Sequence, residues 1–364
     1  MLCGAVHAAF YLWYGNPETD GQWRHWDHAV LPHWSPSIQA QFPSGQLFSP
    51  PSAPHSPFVP SLGLYSSADV EALRSQLESV RKAGIDSVML SWWGQADASV
   101  GRDSQGVSTD ELVPLVLDAA HEAGVGVTWH LEPYGGRTPE SVGEDLAYLH
   151  ERHGHHPAVW RQQHGSKQLP VVFLYDVSAE HSAGERERWR AMADSVRGSE
   201  HDAVLLSLFV DRRDVAFVVG AGFDGAYTYF ASDGFTQGST SSNWGAAREA
   251  LDAEGKMFLP SVGPGYNDTL IRPWNGAQTK SRREGEYYDK MWDAALSCGA
   301  TSWTITSWNE WGEGTQIQEA RPHRNSEGWA YADYGQLGEG WYVERTRYWA
   351  EEAKRTCALV DGEL

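Results

Sequence analysis

Residues 300–311 read "ATSWTITSWNEW", an apolar, β-branched and aromatic run that ends in Asn309 and Glu310. Such a run suits a strand of a parallel sheet buried on both faces. Seven similar runs lie upstream: "AAFYLWY" (8–14), "SVMLSWW" (87–93), "GVTWHLEPY" (126–134), "PVVFLYD" (170–176), "AVLLSLFV" (203–210), "GAYTYF" (225–230) and "MFLPSVGPGY" (257–266). Amphipathic segments at 67–84, 108–124, 139–154, 183–198, 243–255 and 284–299 separate most of them, and another at 340–355 follows the last. The first of these segments opens on a serine cap and closes on Gly84; the second has Thr109 as its N-cap. Eight strand-then-helix units predict an α/β fold of one domain over residues 1–364, a single (β/α)8 TIM barrel whose long βα loops form the active-site face. A doubly wound open sheet is the alternative, but no glycine-rich dinucleotide turn follows the first strand.

Composition narrows the function. Hydrophobic residues make up 41% of the 364, enough for a large core. The chain carries 18 Trp and 15 Tyr; part of these are core, and the rest suit stacking on sugar rings with a polar tip left to hydrogen-bond. A formal net charge of −20 argues against nucleic acid or an anionic membrane as partner and favours a neutral substrate. Cys3, Cys298 and Cys357 are few, odd in number and widely spaced, which predicts neither a metal site nor a disulfide framework. No run reaches the length of a spanning helix, and the start lacks the basic region of a signal peptide, so targeting is left open.

Barrel enzymes build their chemistry at the carboxyl ends of the strands. Here those ends carry Tyr14, Asn16, Trp23, His25, Trp26 and His28 after strand one, and Trp92 and Trp93 after strand two. His130, Glu132 and Tyr134 follow strand three, Tyr175 and Asp176 strand four, and Tyr227 and Tyr229 strand six. Tyr266, Asp268 and Arg272 follow strand seven, and Asn309, Glu310, Trp311 and Glu313 strand eight. A long first loop (15–66) and glycine-rich loops at 231–243 and 264–283 surround them. Glu310 and Glu313 lie three residues apart between tryptophans and glycines. Cleavage of a glycosidic bond asks for such a pair: one carboxyl group protonates the leaving oxygen and a second acts as base or nucleophile. Neighbouring rings lower the local dielectric and can keep one carboxyl protonated. Either glutamate alone could equally be a surface group or an arginine's partner. His25 and His28 have metal-like spacing, but no third ligand sits at a convincing distance.

"YLWYGNP", "HWDHAVLPHW", "HLEPY", "YTYFASDGFTQGS", "FLPSVGPGY" with "IRPWN", and "WNEWGEGTQIQEA" occur in this order. Together they resemble glycoside hydrolase family 99, the endo-α-1,2-mannosidases and endo-α-1,2-mannanases, over about residues 10–355. The resemblance implies a (β/α)8 barrel and a retaining endo-acting enzyme. It would release a Glc- or Man-α-1,3-Man disaccharide from N-glycans or α-mannan, without metal or other cofactor. It further implies that Glu310 deprotonates the substrate's own 2-hydroxyl, which attacks the anomeric carbon to give a 1,2-anhydro sugar. Glu313 would be the general acid and then base. Tyr14, His25, Trp93, Glu132, Tyr175, Asp176, Tyr227, Tyr229, Tyr266, Arg272, Asn309 and Trp311 are the expected substrate-binding residues. The partner is then an α-mannoside glycan and the chain a monomer, in the Golgi lumen or outside the bacterial cytoplasm.

Two departures from the family pattern stand out. Trp93-Gly94 replaces the Tyr-Pro of vertebrate members, as in bacterial ones, which implies mannose over glucose in the outer subsite. Gly312 replaces a histidine common between the two glutamates, with consequences for rate or pH optimum. Two other classes compete with the enzyme reading: a non-catalytic carbohydrate-binding barrel, and a metal-dependent hydrolase using His25 and His28.

Overall fold

The computed structural model describes residues 4–96, 101–178, 181–326 and 328–360. All eight runs form parallel strands: β1 (Ala5–Phe10), β2 (Ser87–Trp92), β3 (Gly126–Leu131), β4 (Lys167–Leu174), β5 (Val204–Leu208), β6 (Gly225–Tyr227), β7 (Met257–Leu259, resuming at Ser261–Val262) and β8 (Ser302–Ile305). Each pairs with its neighbours in chain order, and β8 returns to β1 with Ala5 opposite Ser302 and Ala8 opposite Ile305. The sheet therefore closes into a barrel. Pro260, which has no N–H to give a ladder, interrupts β7, yet its carbonyl still accepts the Thr304 amide at 3.1 Å.

Each strand is followed by a helix: α1 (Val70–Lys82), α2 (Val113–Ala123), α3 (Pro139–His153), α4 (Ala183–Val196), α5 (Arg213–Ala221), α6 (Trp244–Asp252), α7 (Glu286–Ser297) and α8 (Trp341–Val360). The cap of α1 is Asp69, whose carboxylate takes the Glu71 and Ala72 amides, rather than the serine expected from the sequence. Thr109 precedes a 3₁₀ turn at Asp110–Leu112 and makes no side-chain cap bond. Sequence reading missed α5, whose "RDVAFVVGA" is short and apolar and whose N-cap position is an uncapped arginine.

The strands bury both faces, but the two interiors differ. Residues facing the helices, such as Val88, Leu90, Val127, Val172, Leu205, Trp303 and Ile305, join the large core between sheet and helices. Inside the barrel, Met89, Leu169, Val171, Phe173, Val204, Leu206, Leu208, Tyr227 and Leu259 form a separate cluster. The remaining inward positions are polar and buried: His7, Ser87, Ser91, Thr128, His130, Ser261 and Thr304. His7 Nδ1 pairs with Ser87 Oγ at 2.7 Å and Ser261 with Thr304, Thr128 bonds the Val88 carbonyl, and Ser91 and His130 bond Glu132. Burial pushes the His7 imidazole down to about 4.

The long first loop is an ordered wall. It contains helical turns at Pro17–Asp20 and Pro36–Gln39, buries Trp26, His55, Ser56 and Tyr65, and pairs Val59–Pro60 antiparallel with Ala320–Arg321. Cys357 is disulfide-bonded, which corrects the expectation of no disulfide; Cys298 is free, and Cys3 lies outside the described residues.

Gly225 shows how closely β6 and β7 approach: a Cβ there would sit 2.4 Å from the Met257 carbonyl oxygen and 2.7 Å from the Met257 Cβ. Gly225→Ala is expected to cost about 3 kcal/mol, because the obstacle is backbone that cannot swing aside. Urea denaturation checks this through a lowered midpoint at unchanged slope.

Candidate active site

The chain enters the site from β8. Trp308 extends the β8–β1 seam by donating its amide to the Ala9 carbonyl at 2.8 Å. Asn309 then replaces the ladder with its side chain: Oδ1 accepts the Tyr11 amide at 2.8 Å and Nδ2 donates to the Tyr11 carbonyl at 3.0 Å. Tyr14 supports the same turn, donating its hydroxyl to the Asn309 carbonyl and accepting the Trp311 amide, both at 3.0 Å. Trp311 points into the core, where its indole N–H donates to the Tyr65 hydroxyl at 3.0 Å. With backbone and neighbours held this way, Glu310 and Glu313 face a cavity of about 430 Å³ at the carboxyl end of the barrel.

The cavity is aromatic with a charged floor. Tyr11, Trp13, Trp93, Tyr175, Tyr229, Phe230, Tyr266 and Trp274 line it with Glu132, Glu310, Glu313 and Arg272. Trp34 and Phe235 stand at its rim, 85% and 47% exposed. Trp34 stacks on His33 with centroids 3.8 Å apart, and His33 meets Trp274 edge-on at 5.2 Å. The Tyr11 and Tyr229 hydroxyls hydrogen-bond each other across the floor.

Glu132 is oriented from both sides: Oε1 accepts His130 Nδ1 and Ser91 Oγ, each at 2.8 Å. His130 Nε2 bonds the Tyr227 hydroxyl at 2.7 Å, and Ser91 Oγ accepts the Trp93 indole N–H at 3.1 Å. A single relay thus links a barrel-interior tyrosine, a floor carboxylate and a wall tryptophan.

Three carboxylates and one guanidinium face this cavity among its lining residues. Arg272 Nη1 bridges Asp268 Oδ2 at 3.0 Å and Glu313 Oε1 at 3.2 Å. Glu310 is 6% exposed and accepts the Gly312 amide at 3.1 Å, with Ser307 Oγ accepting its own amide at 2.7 Å. Burial, then the nearby charge of Glu313, pushes the Glu310 carboxyl well above the usual range. Burial also raises Glu313, but Arg272 works against the rise. The Arg272 contact favours the anion on Glu313, and among the described residues Glu310 has no such partner.

Eight of the residues expected from sequence line the cavity together: Glu310, Glu313, Trp93, Glu132, Tyr175, Tyr229, Tyr266 and Arg272. Six do not. Tyr14, Asn309 and Trp311 hold the turn from beneath, and Tyr227 is a buried second layer. His25 stacks on Trp13 at 4.4 Å and bonds Asp103 at 2.7 Å, and Asp176 is exposed outside the lining. Trp13 and Tyr11 were hidden inside a strand-like run. Trp34, Phe235 and Trp274 sit in loops with no periodicity to give them away. His25 and His28 do not converge on a third ligand: among the described residues, the group able to hold a metal is His181, Asp211 and Asp214, away from the cavity wall.

The model of glycosyl hydrolase family 99 matches residues 2–355. A human glycoprotein endo-alpha-1,2-mannosidase-like protein is 41% identical over 352 residues, 95% of this chain and 75% of the relative. The rat glycoprotein endo-alpha-1,2-mannosidase is 40% identical, over 99% of this chain and 77% of its own length. Among solved structures, the endo-alpha-mannosidase of this family from Bacteroides thetaiotaomicron superposes with a TM-score of 0.83 at 36% identity, covering 98% and 99% of the two chains.

A carboxyl whose folded-state pKa is raised opposes folding once pH exceeds its unfolded pKa, and fully so above its folded one. Glu310→Gln removes that opposition. It is expected to raise Tm by roughly 2 °C or more at pH 8, with the gain shrinking as pH falls towards about 4.5, measured by calorimetry across pH.

Proposed function

The chain belongs to glycosyl hydrolase family 99 and is an endo-α-mannosidase, and we propose that it cuts internal α-1,2-mannosidic bonds with retention, releasing a Glc- or Man-α-1,3-Man disaccharide. The observation that carries this is the pairing of buried Glu310 with half-buried Glu313 on the floor of an aromatic cavity, with one arginine against Glu313. Glu310 takes the proton of the substrate's 2-hydroxyl while O2 bonds to the anomeric carbon. The bond to the leaving oxygen breaks, and that oxygen takes the proton of Glu313. Water then attacks the anomeric carbon, giving its proton back to Glu313, as the 1,2-anhydro ring opens and O2 recovers the proton held on Glu310. Two displacements at one carbon retain its configuration. The axial 2-hydroxyl of mannose, trans to an α leaving group, is placed for the first of them. In these steps the two glutamates carry every proton, which supports a metal-independent reaction; activity surviving a chelator checks that.

A proton held on Glu310 has to move to Glu313 when substrate binds. A 2-hydroxyl against Glu310 and a leaving oxygen against Glu313 favour that transfer within a coupled pair. The same electrostatics favours a second reading with the roles exchanged. Trp93, anchored through Ser91 to Glu132, forms the outer subsite and favours mannose there. Trp34 and Trp274, on the Arg272 side, form the leaving-group wall. The site is complete within one chain, which supports a monomer. Relatives named for glycoproteins, and the disulfide at Cys357, support a lumenal or exported setting.

Comparison of an α-1,2-mannoside oligosaccharide with the matching disaccharyl α-fluoride, whose leaving group needs no acid, separates these roles. In kcat/KM, which reports the first displacement, Glu313→Gln should lose at least about 100-fold on the oligosaccharide and stay within about ten-fold on the fluoride, whereas Glu310→Gln should lose on both. The reverse pattern exchanges the roles, and full activity in both variants removes the pair from catalysis. Trp34→Ala should raise KM for the oligosaccharide about 3- to 10-fold and leave the fluoride unchanged.

A further inference from the structure

Gly312 sits between the two glutamates, and its φ is not positive, so the backbone there does not require glycine. Space does. A Cβ on Gly312 would lie 2.6 Å from Ile271 Cδ1 and 2.8 Å from His55 Nε2, closer than real Cβ contacts come, and 3.2 Å from Glu310 Oε1. The nearest polar atom in that direction belongs to the first loop, 257 residues earlier in the chain.

His55 arrives there as part of a fitted segment. Its amide donates to the Trp26 carbonyl at 3.0 Å, and the next residue's hydroxyl, Ser56 Oγ, donates to the Trp311 carbonyl at 3.0 Å. Pro57 Cγ lies 3.1 Å from where a Cβ on Gly314 would stand. Residues 55–57 thus lie along 311–314, with the imidazole against Gly312, one of the two positions between the carboxylates. The ring is 2% exposed, packs near His28 with centroids 5.6 Å apart, and leaves Nδ1 without a partner. A buried nitrogen without a hydrogen bond costs stability, so packing has to offset that cost at this ring. Burial pushes the imidazole well below its ordinary value, which favours its neutral form beside the carboxyl pair.

We propose that His55 is a positioning residue for the catalytic turn: its imidazole, together with the end of the Ile271 side chain, fills the space that a side chain at position 312 would take, the flexible Ile271 methyl being able to swing aside where the ring cannot, and that ring fixes where Glu310 and Glu313 stand. The inference rests on these glutamates being the catalytic pair. It assigns the first loop a share in catalysis although His55 does not line the cavity.

The test moves the ring across the contact. Gly312→His, His55→Gly and the double exchange are compared with wild type in kinetics and in thermal unfolding, with near-UV circular dichroism as the check on folding. Gly312→His should overpack the turn, lowering Tm by roughly 3 °C or more and kcat roughly 10- to 100-fold. His55→Gly should lower kcat about ten-fold with KM within about two-fold, since it loosens the carboxylates without touching the sugar walls. The double exchange should recover kcat to within about three-fold of wild type and most of the lost Tm. Losses that simply add, in kcat and in Tm, would overturn the proposal, as would a His55→Gly variant with wild-type kcat. Should wild type cut no α-mannoside, the functional assignment fails, while the Tm cycle still shows whether the two positions share one space.

Discussion

The site depends on the seam where the barrel closes. Backbone pairing between β1 and β8 runs from Ala5–Ser302 to Ala8–Ile305 and is then carried on by an amide side chain, Asn309 against the backbone of Tyr11. A side-chain amide reproduces both bonds of a ladder residue while freeing its own backbone to turn. That allows the chain to leave the sheet with Glu310 pointing over the floor. Tyr14 and Tyr65 then satisfy the groups the turn would otherwise leave buried and unpaired, at Trp311 and Asn309. Remove the seam and nothing local, least of all a run of glycines and glutamates, would hold two carboxylates together over the cavity floor.

Electrostatics follows from that geometry. A barrel this acidic has little positive charge to spare, and Arg272 is the cation lining the cavity among its described residues. Its placement against Glu313 and Asp268 makes the two glutamates inequivalent: both are raised by burial, Glu310 the more. Inequivalence is what a reaction with separate acid and base roles needs, and one proton on the pair at the outset is what it lends and recovers in each turnover. Glu132 stands apart from this pair, tied into the His130–Tyr227 and Ser91–Trp93 relay that shapes the opposite wall.

Much of this is legible in the sequence. The eight strands are, because burial on both faces demands apolar runs and little else in the chain imitates them. So are Glu310, Glu313, Glu132 and Arg272, since charged groups at strand ends have few other reasons to be there. The helix α5 is not, being short, apolar and without a capping side chain. Asn309, Tyr14 and Trp311 are visible as site residues but not as supports, because the seam that assigns their role joins segments some 300 residues apart. Trp34, Phe235 and Trp274 belong to loops whose path only tertiary contacts define. The disulfide at Cys357 likewise leaves no trace in cysteine spacing.

The most direct test of the account is the anomeric configuration and size of the first product. Digestion of a Man-α-1,3-Man-capped α-1,2-mannan oligosaccharide, followed by proton NMR from the first minute, is predicted to show the α-anomer of a disaccharide appearing before mutarotation. A β-anomer first would contradict a 2-hydroxyl displacement at the Glu310–Glu313 pair, and release of free mannose would contradict internal cleavage.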